Sequence, residues 1–127
     1  MAKVFTLVTD LFFQSRIQET ARTLGIELET FANAAALLDR CRSEPPALLI
    51  VDLNAAGAQP LETISQIKQH PSLRAVPVVA YLSHVQAELE RAARAAGADT
   101  VLPRSKFTRQ LPDLLGSCAE GKKNDQP

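Results

Sequence analysis

Five short apolar runs alternate along the chain with five segments of helical spacing, and that alternation constrains the architecture most. Lys3 to Val8 is rich in β-branched and apolar residues and predicts a first strand. Ser15 to Leu24 places Ile17, Ala21 and Leu24 at helical spacing, and Gly25 follows as a stop. Ile26 to Phe31 alternates apolar and polar residues, as a strand at a sheet edge does. Asn33 predicts the cap of a helix through Arg42, with Leu37, Leu38 and Cys41 on one face. After the break at Pro45-Pro46, Ala47 to Val51 is the most apolar run and reads as a fully buried strand. Pro60 opens a helix that stops near His70-Pro71. Pro77 to Leu82 predicts a fourth strand and Gln86 to Ala96 an Ala-rich helix ended by Gly97. Thr100 to Leu102 is a short fifth strand. Ser105 to Leu115 is the last helix, where Pro112 predicts a kink or an early break. The expected domain is 1–115, and the polar stretch 116–127 reads as a flexible tail.

Such alternation predicts an α/β protein with a parallel sheet covered by helices on both faces. Right-handed crossovers leave few topologies, and the doubly wound (βα)5 order 2-1-3-4-5 is the natural one. Sites in such sheets form at the carboxyl ends of the strands, at the switch point between strands one and three. That rule brings Asp10, which follows strand one, beside Asp52, which ends strand three. A charged side chain at the tip of the most apolar run is a poor choice for packing alone. Asp52 therefore marks a candidate site.

Composition removes several function classes. The 14 basic residues balance 14 acidic ones, which argues against a nucleic-acid binder driven by counterion release. There is no Trp, and aromatic residues are few, so a stacking platform for single strands lacks material. No apolar stretch reaches the length of a membrane span. Met1-Ala2-Lys3 runs straight into a strand-like segment without a secretory signal, so a cytoplasmic location is expected. Cys41 and Cys118 lie far apart and form no ligand pattern, as expected of reduced thiols.

Several landmarks then occur in order. Asp10 follows strand one, and Asp52 is followed by Asn54 and Gly57. His70-Pro71-Ser72-Leu73-Arg74 leads into Val76-Pro77-Val78-Val79. Ala95-Ala96-Gly97-Ala98-Asp99 precedes strand five, and Leu102-Pro103 closes it. Each piece is weak alone. Together, over roughly residues 3 to 115, they resemble the receiver domain of two-component response regulators, a flavodoxin-like fold of the chemotaxis-receiver type.

The resemblance implies a chemistry. Asp52 would be the phosphoacceptor for a histidine kinase. Mg2+ would be held by Asp10, Asp52 and the backbone carbonyl of Asn54. A hydroxyl after strand four and a lysine after strand five would hold the phosphoryl oxygens. The logic is electrostatic, because grouped carboxylates repel by about 4 kcal/mol per close pair at an effective dielectric near 20 and recruit a hard cation. This chain departs from that pattern. The acidic pair is reduced to Thr9-Asp10, the hydroxyl position falls on Leu82 with Ser83 next, and the lysine position falls on Arg104. Arg is not a compact point charge like Lys. A weakened Mg2+ site is expected, with Ser83 and Arg104 as degraded phosphoryl contacts. The missing acid and lysine also predict that Arg104 pairs with Asp52 or Asp10, balancing charge without a ligand.

Four further residues stand out. His84 could hydrogen-bond Asp52 or bind a transition metal with the two carboxylates, although a lone loop histidine more often does neither. Leu11 and Phe12 either form an exposed apolar rim or tuck under the loop after strand three, and Phe13 is expected in the core.

The expected function is a divergent, stand-alone receiver in a phosphorelay, not an enzyme, acting through protein–protein contacts with a histidine kinase or a separate output protein. The alternative is a pseudo-receiver, an interaction module without phosphoryl transfer. A flavin- or nucleotide-binding protein of this fold is disfavoured, because Leu11-Phe12-Phe13 stands where a phosphate loop would be. Neither nucleic acid nor membrane is an expected partner, and the oligomeric state is left open.

Overall fold

The computed structural model describes residues 3–84 and 86–119, with the side chains of residues 56 and 119 left aside. The elements are β1 (Lys3–Leu7), α1 (Leu11–Thr23), β2 (Glu27–Phe31), α2 (Ala34–Ser43), β3 (Leu48–Asp52), α3 (Pro60–Gln69), β4 (Val78–Leu82), α4 (Ala87–Ala96), β5 (Thr100–Pro103) and α5 (Arg104–Ala119). A single 3₁₀ turn, Ala56–Ala58, links β3 to α3. The strands are parallel and ordered β2-β1-β3-β4-β5, as the alternation predicts.

The pleat sends alternate residues of each strand to opposite faces. Phe5, Leu7, Leu49, Val51, Ala80 and Leu82 pack with residues of α2, α3 and α4. Val4, Leu48, Ile50, Val79 and Tyr81 pack against α1 and α5 through Phe13, Ile17, Phe107, Leu111 and Leu115. Asp52 follows Leu48 and Ile50 in steps of two, so it belongs to the α1–α5 face.

Two helices depart from the sequence expectation. Helix α1 starts at Leu11, four residues before Ser15. The Asp10 side chain caps it, Oδ1 accepting from the Phe12 N–H at 3.0 Å and the Phe13 N–H at 3.2 Å. The apolar triplet had masked an ordinary capped start. Helix α5 runs through Pro112 to Ala119 instead of breaking. A proline inside a helix costs about 3 kcal/mol. Phe107, Leu111 and Leu115 are fully buried on the same helix, and each contributes about 1.5–3 kcal/mol. Their sum outweighs the proline, whose ring sits on the exposed side. The tail expected from residue 116 therefore begins inside a helix, and residues 120–127 lie outside the described residues.

Charge groups organise two regions of the scaffold. At the β2 edge, Lys3 lies 3.6 Å from Glu27, 3.3 Å from Glu29 and 3.6 Å from Glu44, while Arg40 binds both Glu29 and Glu44. Near the amino end of β4, the Lys68 ammonium donates to Asp99 at 2.9 Å and to the carbonyls of Val76 and Arg74. Asp99 in turn accepts from the Val78 N–H at 2.8 Å. Both cysteines are free, and burial pushes the Cys41 thiol up to about 11. Among the described residues, no helix is long and apolar enough to cross a membrane.

Candidate functional site

The site lies at the carboxyl ends of β1, β3, β4 and β5. Asp52 ends β3 with 3 % of its surface exposed. One carboxylate oxygen accepts from the Asn54 N–H at 2.9 Å. Burial pushes the Asp52 carboxyl above its ordinary range, and the Asp10 charge adds to this. The Asn54 N–H, the Arg104 charge and Tyr81 oppose the shift. A buried carboxyl with these neighbours binds its proton more readily than a free one.

Tyr81 is opposite Asp52 in the β3–β4 register and is completely buried. Its ring stacks on Phe107 with centroids 4.7 Å apart and tilts against Phe13 at 5.0 Å. Each such pair adds about 0.5–1.5 kcal/mol beyond area burial. The Tyr81 hydroxyl has no hydrogen-bond partner within 3.5 Å among the described residues, yet it is near enough for Asp52 and Tyr81 to influence each other's protonation. Burial and the Asp52 charge hold the phenol in its protonated form. Tyr81 carried no signal in the sequence, since an apolar-aromatic strand position reads as core.

Arg104 is the first residue of α5, directly after β5. Its guanidinium carbon lies 4.9 Å from the Phe13 ring centroid and 5.8 Å from that of Tyr81. Its Nη2 is 3.9 Å from Asp10 Oδ2, with both side chains about a third exposed. The Nε atom is buried without a partner among the described residues. Asp10 is thus engaged on both oxygens, one by the α1 cap and one by Arg104. The predicted pairing of Arg104 with Asp10 is present.

Ser83 is exposed and lines an open groove between α1 and α5 together with Asp10, Phe12, Arg16, Arg104 and Arg109. Asp52 lies outside that lining. Leu82, at the expected hydroxyl position, is buried in the core on the other face of the sheet. Asn54 does more than sequence reasoning assigned to it. Its side-chain oxygen accepts from the Ser83 N–H at 2.7 Å, and its amide donates to Gln86 at 3.1 Å. One side chain thereby ties the loop after β3 to the loop after β4. Leu11 and Phe12 are 74 % and 90 % exposed, which rules out the reading that they tuck beneath the β3 loop. Phe13 is core, as expected.

Of the acids expected to hold a divalent cation, the structure brings Asp10 and Asp52 to the same end of the sheet, and Asp10 is already paired with Arg104. Among the described residues, no three of His, Cys, Asp and Glu gather closely enough to hold a metal ion. Thr9 stands exposed where a second acid would be needed. The one remaining acid, Asp10, faces a permanent cation.

Comparison with known proteins agrees with the architecture. The family described as response regulator receiver domain matches residues 9–115. The DNA-binding transcriptional regulator NtrC of Escherichia coli K12 is 33% identical over 81 residues, 63% of this chain, which spans 17% of that relative's length. A response regulator from Hahella chejuensis superposes with a TM-score of 0.83 at 19% identity, covering 92% of this chain and 94% of the other. The chemotaxis response regulator CheY4 of Vibrio cholerae gives 0.79 at 20% identity, covering 91% and 96%. The Mn2+-bound form of response regulator Rcp1 gives 0.77 at 18% identity, covering 100% and 97%. At these identities the superpositions speak for the fold alone.

Proposed function

The chain belongs to the response regulator receiver domain family, and from that premise we propose that it transmits a signal by binding protein, without catalysis of its own and without phosphoryl transfer to Asp52 as its switch. The exposure of Leu11 and Phe12 at the rim of the site carries this reading. Two large apolar side chains at the start of α1 cost solvation while contributing nothing to the core, and exposed apolar clusters mark contact surfaces. Asp52 supports the same reading from beneath. It is buried and outside the groove, and Leu82, at the expected hydroxyl position, is buried on the other face of the sheet. The partner we infer is a signalling protein of the cytoplasm, either a sensor kinase or a separate output protein. Its test is Leu11→Ser with Phe12→Ser. The double variant should keep the parent's unfolding transition and lose binding to the signalling partner. Retained binding would overturn the reading.

A second reading keeps Asp52 as a phosphoacceptor. It is favoured by the Asn54 N–H bond that fixes the carboxylate and by Ser83 in the groove. Acetyl phosphate or beryllofluoride with Mg2+, followed by intact mass and near-ultraviolet spectra, separates the two. An Asp52-dependent change supports phosphoryl chemistry, and no change supports the binding module.

A further inference from the structure

We propose that the Arg104 guanidinium is a tethered replacement for the divalent cation, so that this receiver balances the charge of its acidic site without a metal and excludes metal from it. The inference deepens the proposed function by naming what fixes the site.

The placement of Arg104 carries the proposal. It opens α5 with no intervening loop, so its backbone is anchored at the edge of the sheet where the acids converge. The guanidinium lies over two ring faces, Phe13 at 4.9 Å and Tyr81 at 5.8 Å. Those rings are themselves locked by Phe107, at 5.9 Å from Phe13 and 4.7 Å from Tyr81. A flat, delocalised, weakly hydrated guanidinium suits such a shelf better than a compact, strongly hydrated ammonium, and a hydrated Mg2+ would have to shed water to reach it. From the shelf it reaches Asp10 at 3.9 Å and lowers the proton affinity of Asp52. It therefore acts on both acids at once, as a bridging metal ion would. A divalent ion placed between Asp10 and Asp52 would meet this fixed positive charge at close range, and Thr9 adds no carboxylate to offset the repulsion. Asp10 Oδ1, already accepting two backbone N–H groups, has little left to offer.

The test is titration of the full chain with Mn2+, followed by calorimetry and by paramagnetic broadening of amide signals at the ends of β1 and β3. The parent should show no saturable site there, and its unfolding should be indifferent to Mg2+ or chelator. Arg104→Met keeps the stem on the rings and removes the charge. It should bind Mn2+ at least tenfold more tightly than the parent, about 1.4 kcal/mol. Adding Asp10→Asn should abolish that gain. Arg104→Lys guards against misfolding of the Met variant and should gain weaker binding. A parent that saturates with Mn2+ as tightly as Arg104→Met would overturn the proposal, as would folded variants that gain nothing. Partner binding through Leu11 and Phe12 is a readout separate from Mn2+ binding, so either result stands without the other.

Discussion

Asp52 and Tyr81 stand opposite one another across the β3–β4 ladder, and both side chains turn to the α1–α5 face. The pair places an acid whose proton affinity is raised by burial beside a phenol whose hydroxyl lacks a close partner. A large buried ring thus stands next to the acid, and neither residue lines the groove.

The acid should make stability depend on pH in a defined direction. A carboxyl with a raised folded-state pKa stabilises the fold fully below the ordinary Asp range, and that contribution is lost as pH rises through the folded value. At neutral pH the buried charge is a burden. Asp52→Asn keeps an acceptor for the Asn54 N–H and removes the charge. Urea melts should find it more stable than the parent at neutral pH, on the order of 1 kcal/mol, with the gap closing in acid. A less stable variant at neutral pH would show that Asp52 is favoured as an anion.

Tyr81→Phe should leave the ring stack intact and remove a buried hydroxyl with no close partner. Leaving such a group unsatisfied costs about 1–3 kcal/mol, so the variant should equal or exceed the parent's stability. A loss above about 1 kcal/mol would mean that the hydroxyl is bonded after all.

Asn54→Ala should loosen the loop after β4. Two hydrogen bonds end on that side chain, one from the Ser83 N–H and one to Gln86. Global stability should fall by about 1 kcal/mol. The sharper readout is amide exchange, with Ser83 losing protection while Val78–Leu82 keeps it. Unchanged exchange at Ser83 would remove Asn54 as the tie between loops.

Gly97→Ala probes the opposite end of the sheet. Gly97 caps α4 at φ 118, which an L side chain rarely adopts, and a Cβ there would lie 2.5 Å from the Lys68 Cγ. Lys68 cannot swing away without leaving Asp99 and two carbonyls. The variant should lose more than 1 kcal/mol, about the strain of the backbone alone. Lys68→Met combined with it should lose less than the sum of the two single changes.

The five strands, their order and the convergence of Asp10 and Asp52 were legible because hydrophobic periodicity is a local signal and the crossover rule is geometric. The start of α1 was not, because Asp10 acts as a cap before Leu11-Phe12-Phe13, a run with no helical period. The run of α5 through Pro112 was hidden because the burial of Leu111 and Leu115 is a tertiary effect. The pairing of Arg104 with Asp10 could be anticipated from what had been lost around Asp52. Its aromatic shelf could not, because Phe13, Tyr81 and Phe107 meet only when three separate elements pack. Asn54 was assigned for its backbone alone, although its side chain forms the longer-range link.

The charge network around Lys3 and Arg40 lies along the β2 edge of the sheet. β2 is an outermost strand, and an open strand edge is a template for pairing with another chain. Glu27 and Glu29 stand on that strand, held in place by two basic residues. An incoming strand would have to pass fixed carboxylates and break their ion pairs. The ion-paired carboxylates thereby guard this edge against the addition of a further strand.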